Sequence, residues 1–329
     1  MEQATPVPGR QPTERARTVL GLALGDLAWL AGKGRRDVER RAVEVWTGLV
    51  KDYPENRSHR SNLSYALYRQ SFPLLSAYDT DAVAPLVRQS ESALRPALDD
   101  SPREHADITG LNHLAKFHRE FGFTLLCKKR HADALDQFDR GVQVFQRVLN
   151  HEPMFWDGDV TMSRLHQYRA TALEGLGRRD EAVAAWDQAL EFAKFAMKHK
   201  GSRDITDICR AELAERFFHH GHYDRALKEA ALLVDDSQVS APIRFLLART
   251  LAEAAWRLGE ERRRPLPFIQ KEQERLRAMA LTALWSCQAA GLFEDPKRVQ
   301  ELKTWAQFSV LRERADCQAL LAEVESRKK

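Results

Sequence analysis

The chain has 329 residues, of which 43% are hydrophobic and 30% charged, so it is long and apolar enough to bury a continuous core. Its 51 Lys and Arg outnumber its 47 Asp and Glu by only four, which excludes the strongly basic balance typical of nucleic-acid binders. The apolar stretch 19–31 is short and contains Asp26, which favours a packed helix over a membrane span or signal peptide. We therefore expect a cytoplasmic protein that has no membrane contact.

The elements predicted along the chain are all helices. Residues 1–12 hold three prolines and show no apolar periodicity, which indicates a disordered lead-in. Apolar residues then recur at helical spacing, and proline and glycine mark the ends of the helices. No alternating run is long enough for a strand. The predicted helices are 13–32, 36–53, 58–76, 80–100, 103–129, 131–151, 159–176, 179–200, 204–220, 223–235, 241–258 and 268–290.

Small residues recur at fixed offsets within these helices. Gly177 precedes Ala182 by five residues, and Gly221 precedes Ala226 by five. Trp186 follows Ala182 at helical spacing, so a large side chain lies next to a small one. This pattern is typical of two helices that pack antiparallel at close range, in a tetratricopeptide-type (TPR) repeat of about 34 residues.

The predicted fold is therefore all-α: a right-handed superhelical TPR-like solenoid of about six helix pairs with a C-terminal capping helix near 313–327. The repeats are predicted over 13–290 and the capping segment over 291–329. Within the second pair, an insertion is expected around 77–83. Because each repeat contacts mainly its neighbours, the repeats stack into an elongated array with an extended concave surface. Such chains bind partners along that surface.

The repeat register also predicts a site. Alignment of the first helices on Gly122, Ala170 and Ala214 directs eight side chains toward a concave groove. Phe123 and Tyr168 are the expected apolar anchors, and the basic residues suit an extended acidic segment of a peptide or protein partner. The predicted groove residues are Lys116, Arg119, Phe123, Arg164, Gln167, Tyr168, Glu212 and Glu215.

Other chemistry is weakly indicated. The histidines His219, His220 and His222 lie at a helix end, where the helix dipole favours histidine without any metal. The four cysteines have no metal-ligand spacing and fit a reducing compartment as free thiols. The basic turn 262–264 is expected to be a solvated loop. We expect no catalytic residue, no metal and no cofactor.

Two alternatives stay open at this stage. A nucleic-acid-binding helical repeat needs a basic groove with aromatic or amide side chains at equivalent positions of successive repeats. The predicted groove alternates basic residues with glutamate, which argues against it. An enzyme with a site between helices needs converging titratable residues, and the sequence indicates none. The oligomeric state is left open.

The C-terminal segments carry a resemblance. The runs AMAL at 278–281, AAGLF at 289–293, FSVLR at 308–312 and ALLAE at 319–323 resemble the end of TPR regions in planctomycete-type bacterial proteins. The segment 42–63 is similar to the repeated unit of that group. Compared with the pattern of that group, Asp295 lies two residues later in this chain, and Cys317 takes the place of an aromatic residue. Such regions commonly follow a serine/threonine kinase domain, so the resemblance implies a regulatory or partner-recruiting role in a kinase system.

The register makes a direct prediction about Ala182, which it places with Ala226 at the closest approach of paired helices. We expect Ala182→Leu to overpack this contact and to lower the free energy of unfolding by about 1–3 kcal/mol. Thermal or urea denaturation of the variant measures the loss, and an unchanged unfolding curve would show that the register is wrong.

Overall fold

The structure is a computed structural model that describes residues 12–30, 35–100, 102, 104–155, 158–200, 203–219, 221–260 and 265–326. The predicted lead-in, apart from Pro12, lies outside these ranges. So do His220 and the basic turn 262–264.

Every regular element in the described ranges is helical, so the predicted all-α class is confirmed. Except for the predicted helix 80–100, the repeat-region helices begin and end within a few residues of their predicted bounds. The helices are α1 (Glu14–Leu30), α2 (Arg35–Asp52), α3 (Arg57–Ser76), α4 (Thr80–Ala93), α5 (Arg95–Asp99), α6 (His105–Cys127), α7 (His131–His151), α8 (Gly158–Gly175), α9 (Arg179–Lys200), α10 (Arg203–His219), α11 (Tyr223–Val234), α12 (Ala241–Glu260), α13 (Leu266–Ala289), α14 (Pro296–Thr304), α15 (Ser309–Arg312) and α16 (Ala315–Ser326). Short 3-10 helices occupy Leu292–Glu294 and Ala306–Phe308.

The chain forms two compact units, Met1–Ala185 and Trp186–Lys329, whose boundary falls inside α9. In the first unit, α1 packs on α2, α3 on α4, and α6 on α7, while α6 also contacts both α3 and α8. In the second unit, α10 packs on α11 and α12 on α13, and α10 also contacts α12. The predicted pairing of consecutive helices is therefore confirmed for these five pairs.

Four of the turns between paired helices share one conformation. Each has a residue at positive φ: Tyr78, Lys129, Gly177 and Gly221. The amide after this residue donates to a carbonyl five residues earlier, as in Arg178 N to Leu173 O at 2.9 Å. This bond caps the end of the first helix in a Schellman arrangement. The insertion predicted at 77–83 was wrong, because the turn at Tyr78 is as tight as the glycine turns.

Small residues lie where the paired helices approach. A Cβ added to Gly122 would come within 2.6 Å of the Phe138 ring, so α6 and α7 meet closely at this point. The two alanines of the repeat pattern, Ala182 and Ala226, are fully buried. Their burial agrees with the predicted register, because a larger side chain at either position has no open space to enter.

The second helix of the second pair departs from its prediction. The expected single helix 80–100 is interrupted at Leu94, and α5 begins one residue before Pro96. Proline has no amide hydrogen and restricts the residue before it, which explains the break in the helix.

The C-terminal segment packs on α12 and α13 of the second unit. Asp295 caps α14 by accepting a hydrogen bond from Lys297 N at 2.9 Å. Aspartate is a favoured capping residue, and proline is favoured at the first position of a helix. Phe245 of α12 lies 5.6 Å from Phe308 and 6.0 Å from Phe293, ring centroid to ring centroid. The predicted capping helix is present as α16, which packs against α13.

The cysteines differ in exposure. Cys127, at the end of α6, is exposed, whereas Cys209, Cys287 and Cys317 are buried, and all four are free thiols. Burial raises the pKa of the Cys287 thiol to about 12. None of the helices in the described ranges has both the length and the apolar character that crossing a bilayer demands.

The shared turn conformation generates a prediction. Lys129 occupies a left-handed conformation that costs a non-glycine residue about 1 kcal/mol, whereas Gly177 occupies the equivalent position without strain. We expect Lys129→Gly to raise the free energy of unfolding by up to about 1 kcal/mol and Gly177→Ala to lower it by a similar amount. Urea denaturation of both variants measures the difference. Equal shifts of the same sign would contradict a shared turn.

Candidate partner-binding face

The first helices α3, α6 and α8 present partly exposed aromatic side chains. On α3, Tyr65, Tyr68 and Phe72 follow one another at spacings of three and four residues, and all three are half-buried. Phe123 of α6 is 38% exposed, and Tyr168 of α8 is half-buried. We refer to these five residues as the aromatic face.

Ring contacts connect the helices that carry this face. Phe123 and Tyr168 lie 5.0 Å apart between ring centroids, which joins α6 to α8. Tyr65 lies 4.6 Å from the His113 ring, which joins α3 to α6. Aromatic pairs at such distances add about 0.5–1.5 kcal/mol beyond burial of area, so the rings are held in place before any partner arrives.

Arg119 of α6 is half-buried and forms an ion pair with Glu120, its neighbour in the sequence. Its Nε and Nη2 donate to Glu120 Oε1 at 2.9 and 2.7 Å. Burial disfavours the charge on Arg119, but attraction and hydrogen bonding to the Glu120 carboxylate outweigh it and raise the pKa of the guanidinium above its ordinary value. The ion pair with Glu120 therefore keeps the guanidinium charged despite its burial.

Basic side chains accompany the rings. Lys116 of α6 is half-buried and close enough to His113 to help lower its pKa to about 4, although burial of the imidazole is the larger cause. Arg164 of α8 is also half-buried, and its Nη1 donates to Gln167 Oε1 at 3.0 Å. The face therefore combines large rings with cationic groups, which can contact apolar and acidic groups of a partner.

Gln167 lies beneath this surface. It is 2% exposed, and its Nε2 donates to Ser163 Oγ at 3.3 Å while its Oε1 accepts from Arg164. Gln167 has almost no exposed surface and so does not contact a partner directly. Its hydrogen bond instead orients Arg164.

The predicted residues Glu212 and Glu215 belong to the second unit, on α10. Glu215, His219 and Glu253 of α12 each place a ligand-type atom within 4.8 Å of the others. Arginines also lie at this cluster: Arg257 Nη2 is 2.8 Å from Glu253 Oε1, and Arg249 Nη2 is 3.7 Å from Glu215 Oε2. Three donor atoms of this kind can ligate a metal ion, but the guanidinium groups compete for the same carboxylates.

The aromatic residues of α3 were not predicted from the sequence. The prediction aligned the first helices of three later repeats and so started at α6. The spacing of Tyr65, Tyr68 and Phe72 is a helical stripe that the sequence does contain. The spacing alone does not show whether such a stripe is buried in the core or lies at the surface. In the structure α3 packs against α6, and the three rings are half-exposed.

The buried histidines of α6 and α8 generate a pH prediction. Burial, aided by Lys116 at His113 and by Arg169 at His166, lowers both pKa values from 6.5 to about 4. Below pH 6.5 the unfolded chain binds protons that the folded chain excludes, so stability is complete above pH 6.5 and is lost as the pH falls toward 4.

We expect the free energy of unfolding to fall over this range by up to about 3 kcal/mol for each ring. Urea denaturation at about pH 7.5, 6 and 5 measures the slope, which His166→Gln is expected to reduce. His105→Gln, which removes an exposed imidazole from α6, is the control. A slope that His166→Gln leaves unchanged would contradict the prediction.

No model of a protein family matches the sequence, and no curated protein matches it. Among solved structures, a thermophilic TPR protein from Thermus thermophilus is similar to 73% of this chain over 99% of its own length, with 20% identity and a TM-score of 0.32. A likeness at this score carries no argument, and the all-α fold follows from the chain's own helices and their pairing.

Proposed function

We propose that this protein is a TPR-type protein-interaction scaffold, without catalytic activity, that binds an extended segment of a partner on the aromatic face. The observation that supports this proposal best is the alignment of Tyr65, Tyr68, Phe72, Phe123 and Tyr168 on three consecutive first helices, beside Lys116, Arg119 and Arg164. A surface of this kind, continued from helix to helix, suits a long and thin ligand.

The chemistry of the face defines the segment that it fits. At an interface, contacts between aromatic rings and apolar side chains contribute most of the binding free energy. Charged residues at the rim select the partner and set its register. Lys116 and Arg164 therefore favour acidic residues on both sides of an apolar or aromatic residue. The proposed ligand is an extended acidic segment with one or two large apolar side chains.

A finer proposal follows from the resemblance in the C-terminal segments. The partner belongs to a bacterial serine/threonine kinase system, in which this chain recruits or regulates another component. The support for this finer proposal is the sequence resemblance alone, over 42–63 and 278–323.

The test begins with selection of binding peptides from a random displayed library, followed by fluorescence-polarisation titration of the enriched sequences. We expect enrichment of acidic peptides with an apolar centre. The double reversal Lys116→Glu with Arg164→Glu is expected to weaken their binding about tenfold or more, because two favourable ion pairs become repulsive. Phe123→Ala is expected to weaken it further, through loss of an apolar anchor.

The matched control is Lys51→Glu with Arg147→Glu, which changes the net charge equally at exposed positions on the second helices α2 and α7. We expect this control to bind like the natural chain. Equal weakening by both double variants would assign the effect to net charge alone. Binding of single-stranded RNA with a steep salt dependence, without enrichment of any peptide, would favour the nucleic-acid alternative.

A further inference from the structure

The first unit contains a partly enclosed cavity between α1, α2 and α3. Its volume is about 140 Å³. Engineered apolar cavities of about 150 Å³ hold a molecule the size of benzene, so this cavity has room for one aromatic ring. Much of its wall is apolar, contributed by Leu24 and Ala28 of α1, Ala42 and Trp46 of α2, and Ala66 of α3.

The wall also has polar residues, namely Asp26, Glu39, Asn62, Tyr65 and Arg69. Of its two carboxylates, Asp26 is exposed to solvent and Glu39 is buried. Glu39 of α2 lines the cavity and is 3% exposed. Its Oε1 accepts from Arg35 Nε at 2.8 Å and lies 3.7 Å from Arg69 Nη2. Its Oε2 is buried and has no hydrogen-bond partner among the residues that the structure describes. A buried carboxylate oxygen in this state costs free energy that a bound donor would recover.

Gly25 of α1 leaves open space at the wall of the cavity. It lines the cavity, and a Cβ built on it would meet no atom within 4 Å. Glycine in the middle of α1 lowers helix propensity, so the sequence forgoes stability at a position where a larger residue would fit.

We propose that this cavity is a binding site for a small neutral molecule, about the size of one aromatic ring, that donates one O–H or N–H hydrogen bond to Glu39 Oε2. The apolar residues of the wall contact the ring of the ligand. A neutral ligand fits better than an organic cation, because two guanidinium groups already lie beside the same carboxylate. A neutral hydroxyl forms a strong hydrogen bond to a charged acceptor and adds no repulsion.

The test compares phenol with toluene, two probes of similar size of which only phenol donates a hydrogen bond. Titration calorimetry and the chemical shift of the Trp46 indole measure binding. We expect both probes to bind and phenol to bind about tenfold tighter, because of its hydrogen bond to a carboxylate. Glu39→Gln is expected to reduce this preference while leaving toluene binding in place.

Gly25→Leu keeps the test decisive even if Glu39→Gln does not fold, because leucine fills the space and is a better helix former than glycine. We expect Gly25→Leu to abolish binding of both probes. Ala23→Leu, which adds a leucine at an exposed position on the same helix, is the control and is expected to bind both. Equal affinity for phenol and toluene in the natural chain, or undiminished binding by Gly25→Leu, would overturn the proposal.

Discussion

The close approach of helices within each pair is the constraint on which the rest of this structure depends. At Gly122 the ring of Phe138 occupies the place that a side chain would need, and the fully buried Ala182 and Ala226 leave similar room on their helices. Tight contact at these positions buries large rings beside small residues and brings apolar surface out of water. Packing at this density also fixes which side of each first helix stays exposed.

The exposed sides of the first helices form the candidate site. Because α6 is packed against α7 on one side and against α3 and α8 on others, its residues Lys116 and Phe123 are left partly at the surface. Ring contacts cross the helix boundaries, from Tyr65 of α3 to His113 of α6 and from Phe123 of α6 to Tyr168 of α8. The surface is thus ordered by the same packing that stabilises the unit, which lowers the entropic cost of binding.

Much of the fold could be predicted from local sequence signals. Helix bounds follow from proline, glycine and capping residues, and pairing follows from the spacing of small residues. The tight turn at Tyr78 escaped prediction because a tyrosine at positive φ has no sequence signal, unlike Gly177 and Gly221. The candidate site was predictable only in part, for a related reason. Phe123 and Tyr168 follow from the repeat register, but the burial of Gln167 depends on contacts between helices, which spacing along one helix does not reveal.

The uneven exposure of the cysteines gives the molecule a selective chemical handle. Cys127 lies one helical turn beyond Phe123 on α6, and it is the exposed thiol among the four. A maleimide dye requires an accessible thiolate, and burial keeps the other three thiols from it, with the Cys287 thiol also protonated at neutral pH. A single fluorophore can therefore be attached beside the aromatic face without altering the sequence, where the arrival of a ligand would change its emission.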